Sequence, residues 1–205
     1  MNRPAFNRKW SDLHGGVEVQ GVISFWLRIS YWIARVLSFF RITPNIVTTI
    51  GLIASIAIYF TMYTSQLIAL VIFSLICDGV DGSLAIYRDR VSKFGELYDS
   101  LADRISEAFW LVGATFVGVP VRWAIAIWVL GATQEYARAR LASLGYSEIG
   151  IVTPTERPVR AIFVVAVTLL YWFGHDLAMQ VAIGFTILQA ISVLMVMRMA
   201  RSILT

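Results

Sequence analysis

Residues 77–107 read CDGVDGSLAIYRDRVSKFGELYDSLADRISE. Apolar runs flank this stretch on both sides, so Asp78, Asp81, Glu96, Asp99, Asp103 and Glu107 fall in or beside two membrane-spanning helices. A carboxylate at the bilayer centre costs at least about 2.5 kcal/mol, and so many anions need cations among them. Asp78 and Asp81 stand three residues apart, Asp99 and Asp103 four apart. On helices both spacings put the two carboxylates on one face. Two antiparallel helices joined by the short turn at 88–93 would bring the pairs face to face near one membrane surface. Four converging carboxylates, Asp78, Asp81, Asp99 and Asp103, suit Mg²⁺ or Mn²⁺, hard ions that prefer oxygen ligands.

Outward from this stretch the chain stays apolar. Of its 205 residues 58% are hydrophobic and 15% charged, against about 25% charged in a soluble domain. Apolar runs recur at 44–63, 66–87, 94–117, 121–144, 159–173 and 178–199, all but the shorter 159–173 near the ~20 residues that cross a bilayer. The expected fold is therefore all-α and integral to the membrane, with six transmembrane helices. Ahead of them, 21–40 (GVISFWLRISYWIARVLSFF) carries Arg28 and Arg35 seven residues apart on one stripe. That pattern predicts an amphipathic helix lying in the interface. Thr43 and Pro44 then supply an N-cap and a first-turn proline. The expected organisation is an N-terminal segment with its interfacial helix over 1–43 and a six-span domain over 44–205. The polar residues 1–19 contain no short apolar core after a basic start, so no cleaved signal peptide is expected. Cys77 is the sole cysteine, read as a small buried thiol.

Charge orients the bundle. Of the 17 Lys and Arg residues, only Arg122 lies near the joints at 64–65, 118–120 and 174–176. The positive-inside rule then places the other joints and both termini in the cytosol, in a multi-pass protein of the cell membrane. The formal charge of +4 belongs to a face that meets anionic membrane lipid, and nucleic acid is not an expected partner.

Gly82 and Gly95 are costly inside helices, by about 1 kcal/mol each relative to alanine. Bare backbone there admits a bulky ligand, although small residues also serve helix packing. With Asp78, Asp81, Ala85, Asp99 and Asp103 they fall in register with a pattern, D-x2-D-G-x2-A-R-x8-G-x3-D-x3-D, that resembles the signature of CDP-alcohol phosphotransferases. Pro44, Asn45 and Thr48 resemble that family's first-helix pattern, and six spans after an interfacial helix match its architecture. The resemblance implies transfer of a substituted phosphate group from CDP-diacylglycerol or a related CDP-alcohol to an acceptor hydroxyl, with CMP leaving, in phospholipid biosynthesis. It implies that Asp103 acts as general base, that Pro44, Asn45, Thr48, Gly82, Ala85 and Gly95 hold the donor, and that the protein is a homodimer. One position departs: Ile86 stands where the family has arginine. On an ideal helix Arg88 shares the stripe of residues 78, 81 and 85, so Arg88 is expected to face the donor instead.

Arg138, Arg157, Arg160 and Arg198 lie near the cytosolic ends of the later spans. Guanidinium groups bind phosphate bidentately, which suits an anionic small-molecule acceptor; anchoring to lipid headgroups explains the same residues. The run Tyr136-Ala137-Arg138-Ala139-Arg140, followed by Glu156-Arg157-Pro158, resembles the bacterial phosphatidylinositol-phosphate synthase branch, with Arg138 where lysine is usual. That implies inositol phosphate as acceptor, with glycerol phosphate as the alternative. Ion-coupled transporters also carry intramembrane carboxylates, but at the midplane on broken helices and often with repeats; here the acids gather toward one face and no repeat is visible. A reporter fused after Thr205 is expected to be active only in the cytosol. Activity only on the outer side would overturn the topology.

Overall fold

In the computed structural model, residues 1–61, 64–146 and 152–204 are described, and among them there is no strand. The helices are α1 (Arg3–Leu13), α2 (Gly21–Phe39), α3 (Pro44–Ala57), α4 (Thr64–Tyr87), α5 (Lys93–Phe116), α6 (Val121–Ser143), α7 (Arg157–Trp172) and α8 (Ala178–Leu204), with a 3₁₀ turn, Ile58–Phe60, after α3. The chain is all-α, and α3 to α8 follow the six apolar runs. The last two residues of the first expected span, 62–63, and residues 147–151 of the loop after α6 lie outside the described residues. Three helices, α2, α4 and α8, are long and apolar enough to cross a membrane by length and composition. The helix with the arginine stripe, α2, is thus among them. Its buried residues Leu27, Ser30, Tyr31 and Ala34 repeat at three- and four-residue steps, while Arg28 and Arg35 are exposed.

The helices fall into two compact units. The first comprises Met1–Ala54 and Phe73–Ser106. Its core is Ala34, Val47, Cys77, Val80 and Leu84. Gly51 sits where α3 meets α4: a Cβ there would come 2.8 Å from the Cys77 Cβ, far inside van der Waals contact, so only glycine allows this approach. A second cluster, Phe6, Leu27, Tyr31 and Ile86, docks α1. That helix was not expected, since residues 1–19 read only as a polar segment. Asn2 caps it by accepting from the Ala5 N–H, with Pro4 in the first turn. Phe6 is its single buried residue. Two polar ties add to it: the Tyr31 hydroxyl donates to the Met1 carbonyl at 3.1 Å, and Lys9 pairs with Asp89. The Lys9 ammonium holds the fully exposed Asp89 carboxyl below its ordinary range.

The second unit comprises Ser55–Ile72 and Glu107–Thr205. Here α6 and α7 pack on α8. Trp110 is buried, and its indole N–H donates to Ser55 at 3.1 Å. A ladder of buried polar groups runs through the unit. Gln189 donates to Gln134 at 2.8 Å, Gln134 to Thr153 at 3.0 Å, and Thr155 to Ser192 at 2.7 Å. Buried polar groups are costly unless partnered; these partners tie the approach to α7 onto α6 and α8.

The docking of α1 through one aromatic side chain has a direct test. Truncating a buried phenylalanine to alanine costs about 3–5 kcal/mol, here at the contact of α1 with Leu27, Tyr31 and Ile86. In Phe6→Ala, tryptic cleavage at Arg8 and Lys9 is expected to accelerate at least about tenfold while the rest of the chain stays resistant. Unchanged cleavage would show that the polar ties alone hold the helix.

Candidate active site

The turn between α4 and α5 sets the site in the first unit. Helix α4 ends with the Arg88 N–H on the Leu84 carbonyl, and Asp89 takes a left-handed φ of 56°. The Arg90 N–H returns to the Ala85 carbonyl at 2.8 Å. Two residues on, Ser92 caps α5 by accepting from the Gly95 N–H at 3.0 Å. This short reversal aligns the aspartates of α4 with those of α5.

Asp78, Asp99 and Asp103 converge, each half-buried, with one carboxylate oxygen apiece inside a 4.8 Å span. Three all-oxygen anionic donors at that spacing fit a hard divalent cation and suit no soft metal. The fourth aspartate is placed differently. Asp81 is buried and accepts a short hydrogen bond from the Thr48 hydroxyl of α3. A three-residue step turns the helix by about 300°, enough to aim Asp81 toward α3 while Asp78 faces α5.

Beside these carboxylates lies a cavity of about 300 Å³, at the lower limit for a small-molecule site. Asp81 and Asp99 line it, as do Pro44, Asn45, Thr48, Gly82, Ala85 and Gly95. A Cβ at Gly82 would meet nothing within 4 Å, so this backbone faces open space. Arg88 is not among the lining residues. Its guanidinium donates to the Ile42 carbonyl at 2.7 Å, and Arg90 lines the cavity in its place. Ile86 also borders it, buried in the cluster that docks α1. Leu13 and His14, which the sequence did not single out, come from the end of α1.

In the second unit three of the expected arginines gather around carboxylates. Arg160 is buried, and its donors reach Glu107 at 3.0 Å, Glu135 at 3.1 Å and the Thr155 carbonyl at 2.8 Å. Arg157 stacks over Trp110, 5.3 Å from the ring centre, with Nε 3.8 Å from Glu107. Arg138 grips Glu156 with both ends of its fork, at 2.9 and 2.6 Å. Glu156 also accepts from the Thr153 N–H and hydroxyl. Burial would raise the Glu156 carboxyl, but Arg138 and the Thr153 donors outweigh it and bring it down to about 2. Arg198 is exposed on α8. Glu107 fits a packing partner for an arginine, and Glu135 pairs with Arg138 at an i,i+3 spacing within α6 at 3.7 Å; the pairings between segments leave no spacing signal.

Known proteins share both sequence and fold with this chain. It is 37% identical over 132 residues to archaetidylinositol phosphate synthase of Pyrococcus horikoshii, across 61% of this chain and 70% of that protein. The crystal structure of phosphatidylinositol phosphate synthase of Mycobacterium tuberculosis with CDP-DAG bound superposes with a TM-score of 0.66 at 27% identity, covering 83% of this chain and 91% of that one. The same protein in complex with manganese and citrate gives 0.67 at 25% identity, covering 86% and 89%. The family profile for CDP-alcohol phosphatidyltransferases matches residues 41–200, most of the chain and the whole of the aspartate motif. The protein is therefore a membrane enzyme belonging to the CDP-alcohol phosphatidyltransferase family.

Proposed function

We propose that this enzyme transfers a phosphatidyl-type group from CDP-diacylglycerol or a related CDP-lipid to a hydroxyl of inositol phosphate. The observation that carries this reading is the convergence of Asp78, Asp99 and Asp103 beside a cavity that Asp81 and Asp99 line. The acceptor reading is supported by the two relatives described above, although a serine O-phosphatidyltransferase of Helicobacter pylori is similar as well, at 32% identity over 171 residues. The names of those two differ in the lipid, archaetidyl or phosphatidyl, and agree on inositol phosphate.

In the reaction the acceptor oxygen forms a bond to the lipid-side phosphorus, the bond from that phosphorus to the CMP oxygen breaks, and CMP departs. Such transfers need positioning and charge control more than covalent help. A divalent cation, when bound, neutralises charge on the donor pyrophosphate and on the departing CMP. Asp78, Asp99 and Asp103 would hold it, with Asp81 fixed alongside by Thr48. Asp103 takes the proton of the attacking hydroxyl. Arg90 at the cavity wall supplies the cationic side chain that Ile86 lacks, while Arg88 secures the end of α4. Arg138, Arg157 and Arg198 would hold the acceptor phosphate, and Arg160, bound to carboxylates on several sides, positions them. We infer six spans with both termini cytosolic and α2 at the interface, from the basic residues; a homodimer follows from the family resemblance alone.

A general base contributes roughly 10²–10⁴-fold. Asp103→Asn keeps the shape and loses the proton acceptor, so CMP release should fall at least about a hundredfold in folded protein. Chelation with EDTA should stop the wild type, and Mn²⁺ or Mg²⁺ should restore it. Turnover that survives thorough chelation would remove the metal from the mechanism.

The acceptor arginines are tested by titrating each substrate separately. A charged hydrogen bond contributes on the order of 1.5–3 kcal/mol, so Arg138→Ala or Arg198→Ala should raise the acceptor KM roughly tenfold to a hundredfold. The donor constant should stay near wild type. Unchanged acceptor constants in both variants would leave these arginines as lipid anchors.

A further inference from the structure

The residues that precede the family-matched region 41–200 reach the donor cavity. Helix α1 is anchored by Phe6, which is wholly buried, in a cluster that includes Ile86. The side chain that replaces the signature arginine is thus part of the seat on which α1 rests. From that seat α1 ends at the cavity wall with Leu13 and His14.

His14 is held there by several contacts. Its ring stacks on Trp10 with centroids 4.0 Å apart and planes 15° apart. Its Nδ1 lies 2.7 Å from the Trp10 carbonyl. Because a carbonyl only accepts, Nδ1 carries the proton, and in the neutral ring Nε2 is the acceptor. Gly15 and Gly16 follow with φ of 67° and 79°, conformations that glycine adopts freely. They reverse the chain at once, and the Gly16 N–H closes onto the Ser11 carbonyl at 2.9 Å. The imidazole is fixed before any ligand arrives, which lowers the ordering cost of binding.

We propose that α1 forms one wall of the CDP-donor site and that His14 contacts the cytidine of the donor. This rests on the transferase reading above. The donor's pyrophosphate, with its metal, would sit against the lining carboxylates Asp81 and Asp99, and Leu13 and His14 offer lining without negative charge to the nucleoside. Cytidine offers donors, its ribose hydroxyls and its exocyclic amine, and His14 Nε2 is an acceptor suited to either. Leu13 supplies an apolar edge beside it.

Two probes separate a nucleoside contact from a phosphate contact: CDP and inorganic pyrophosphate, each titrated calorimetrically into the full chain with Mn²⁺. A neutral hydrogen bond is worth about 0.5–1.5 kcal/mol. His14→Ala should therefore weaken CDP roughly three- to tenfold and leave pyrophosphate unchanged. His14→Gln, whose amide oxygen accepts, should recover most of the loss. Phe6→Ala, which releases α1, should weaken CDP in the same selective way, while Arg8→Ala, exposed on α1, should match wild type. Unchanged CDP affinity in His14→Ala overturns the proposal, as does an equal loss for both probes. A wild type that binds neither probe overturns the transferase reading itself.

Discussion

Charge in a low-dielectric setting is the constraint from which most of this structure follows. Three carboxylate oxygens within 4.8 Å of one another repel by roughly 3–4 kcal/mol per pair at an effective dielectric of about 20. Arg104, 3.9 Å from Asp103, offsets part of that, and a cation held among the three oxygens would offset more. The helices around it serve this end. Ser92 starts α5 so that Asp99 and Asp103 face α4, Gly51 lets α3 approach closely, and Thr48 on α3 then holds Asp81.

The second unit meets the same constraint with its own side chains. Glu107 and Glu135 share the buried Arg160, and Glu156 takes both arms of Arg138. Such pairs do little for net stability, since desolvation consumes much of the attraction. They do fix geometry. Arg160 reaches α5, α6 and the Thr155 carbonyl together, so the entry to α7 is held by charge as well as by the buried amide and hydroxyl ladder.

Much of this was readable from residues alone, and the failures have physical causes. The apolar runs that became α3 to α8 were visible because each stays apolar over the length of a helix, although in the described residues only α4 and α8 among them are long and apolar enough to cross a membrane by length and composition. The aspartate register was visible because metal-binding carboxylates need fixed spacings. Helix α1 escaped because it buries only Phe6, too few residues to show a period, though Asn2 and Pro4 did mark its start. Arg88 was expected at the cavity on the assumption of an unbroken helix. Instead α4 ends at Tyr87, Asp89 turns left-handed, and Arg88 and Arg90 part company. The arginines of the later helices were read by type as candidates for phosphate or lipid headgroups; Glu135 stands three residues from Arg138 on the same helix, but Glu107 and Glu156 lie on other segments and leave no mark in local sequence.

The bidentate pairing of Arg138 with Glu156 changes what anion binding at that arginine means. An arriving anion displaces a carboxylate already in the fork, so the event is an ion exchange and not an addition. Its free energy would be what the anion gains beyond the carboxylate, the released Glu156 keeping its Thr153 donors. The roughly tenfold end of the expected KM change therefore belongs to Arg138 and the larger end to the exposed Arg198. A monoanion resembling a carboxylate gains almost nothing by the swap. A phosphate monoester, with its second charge and third oxygen, has something to gain. On the proposed reading of Arg138 as an acceptor ligand, the resting pair would thereby favour doubly charged ligands over chloride and carboxylates.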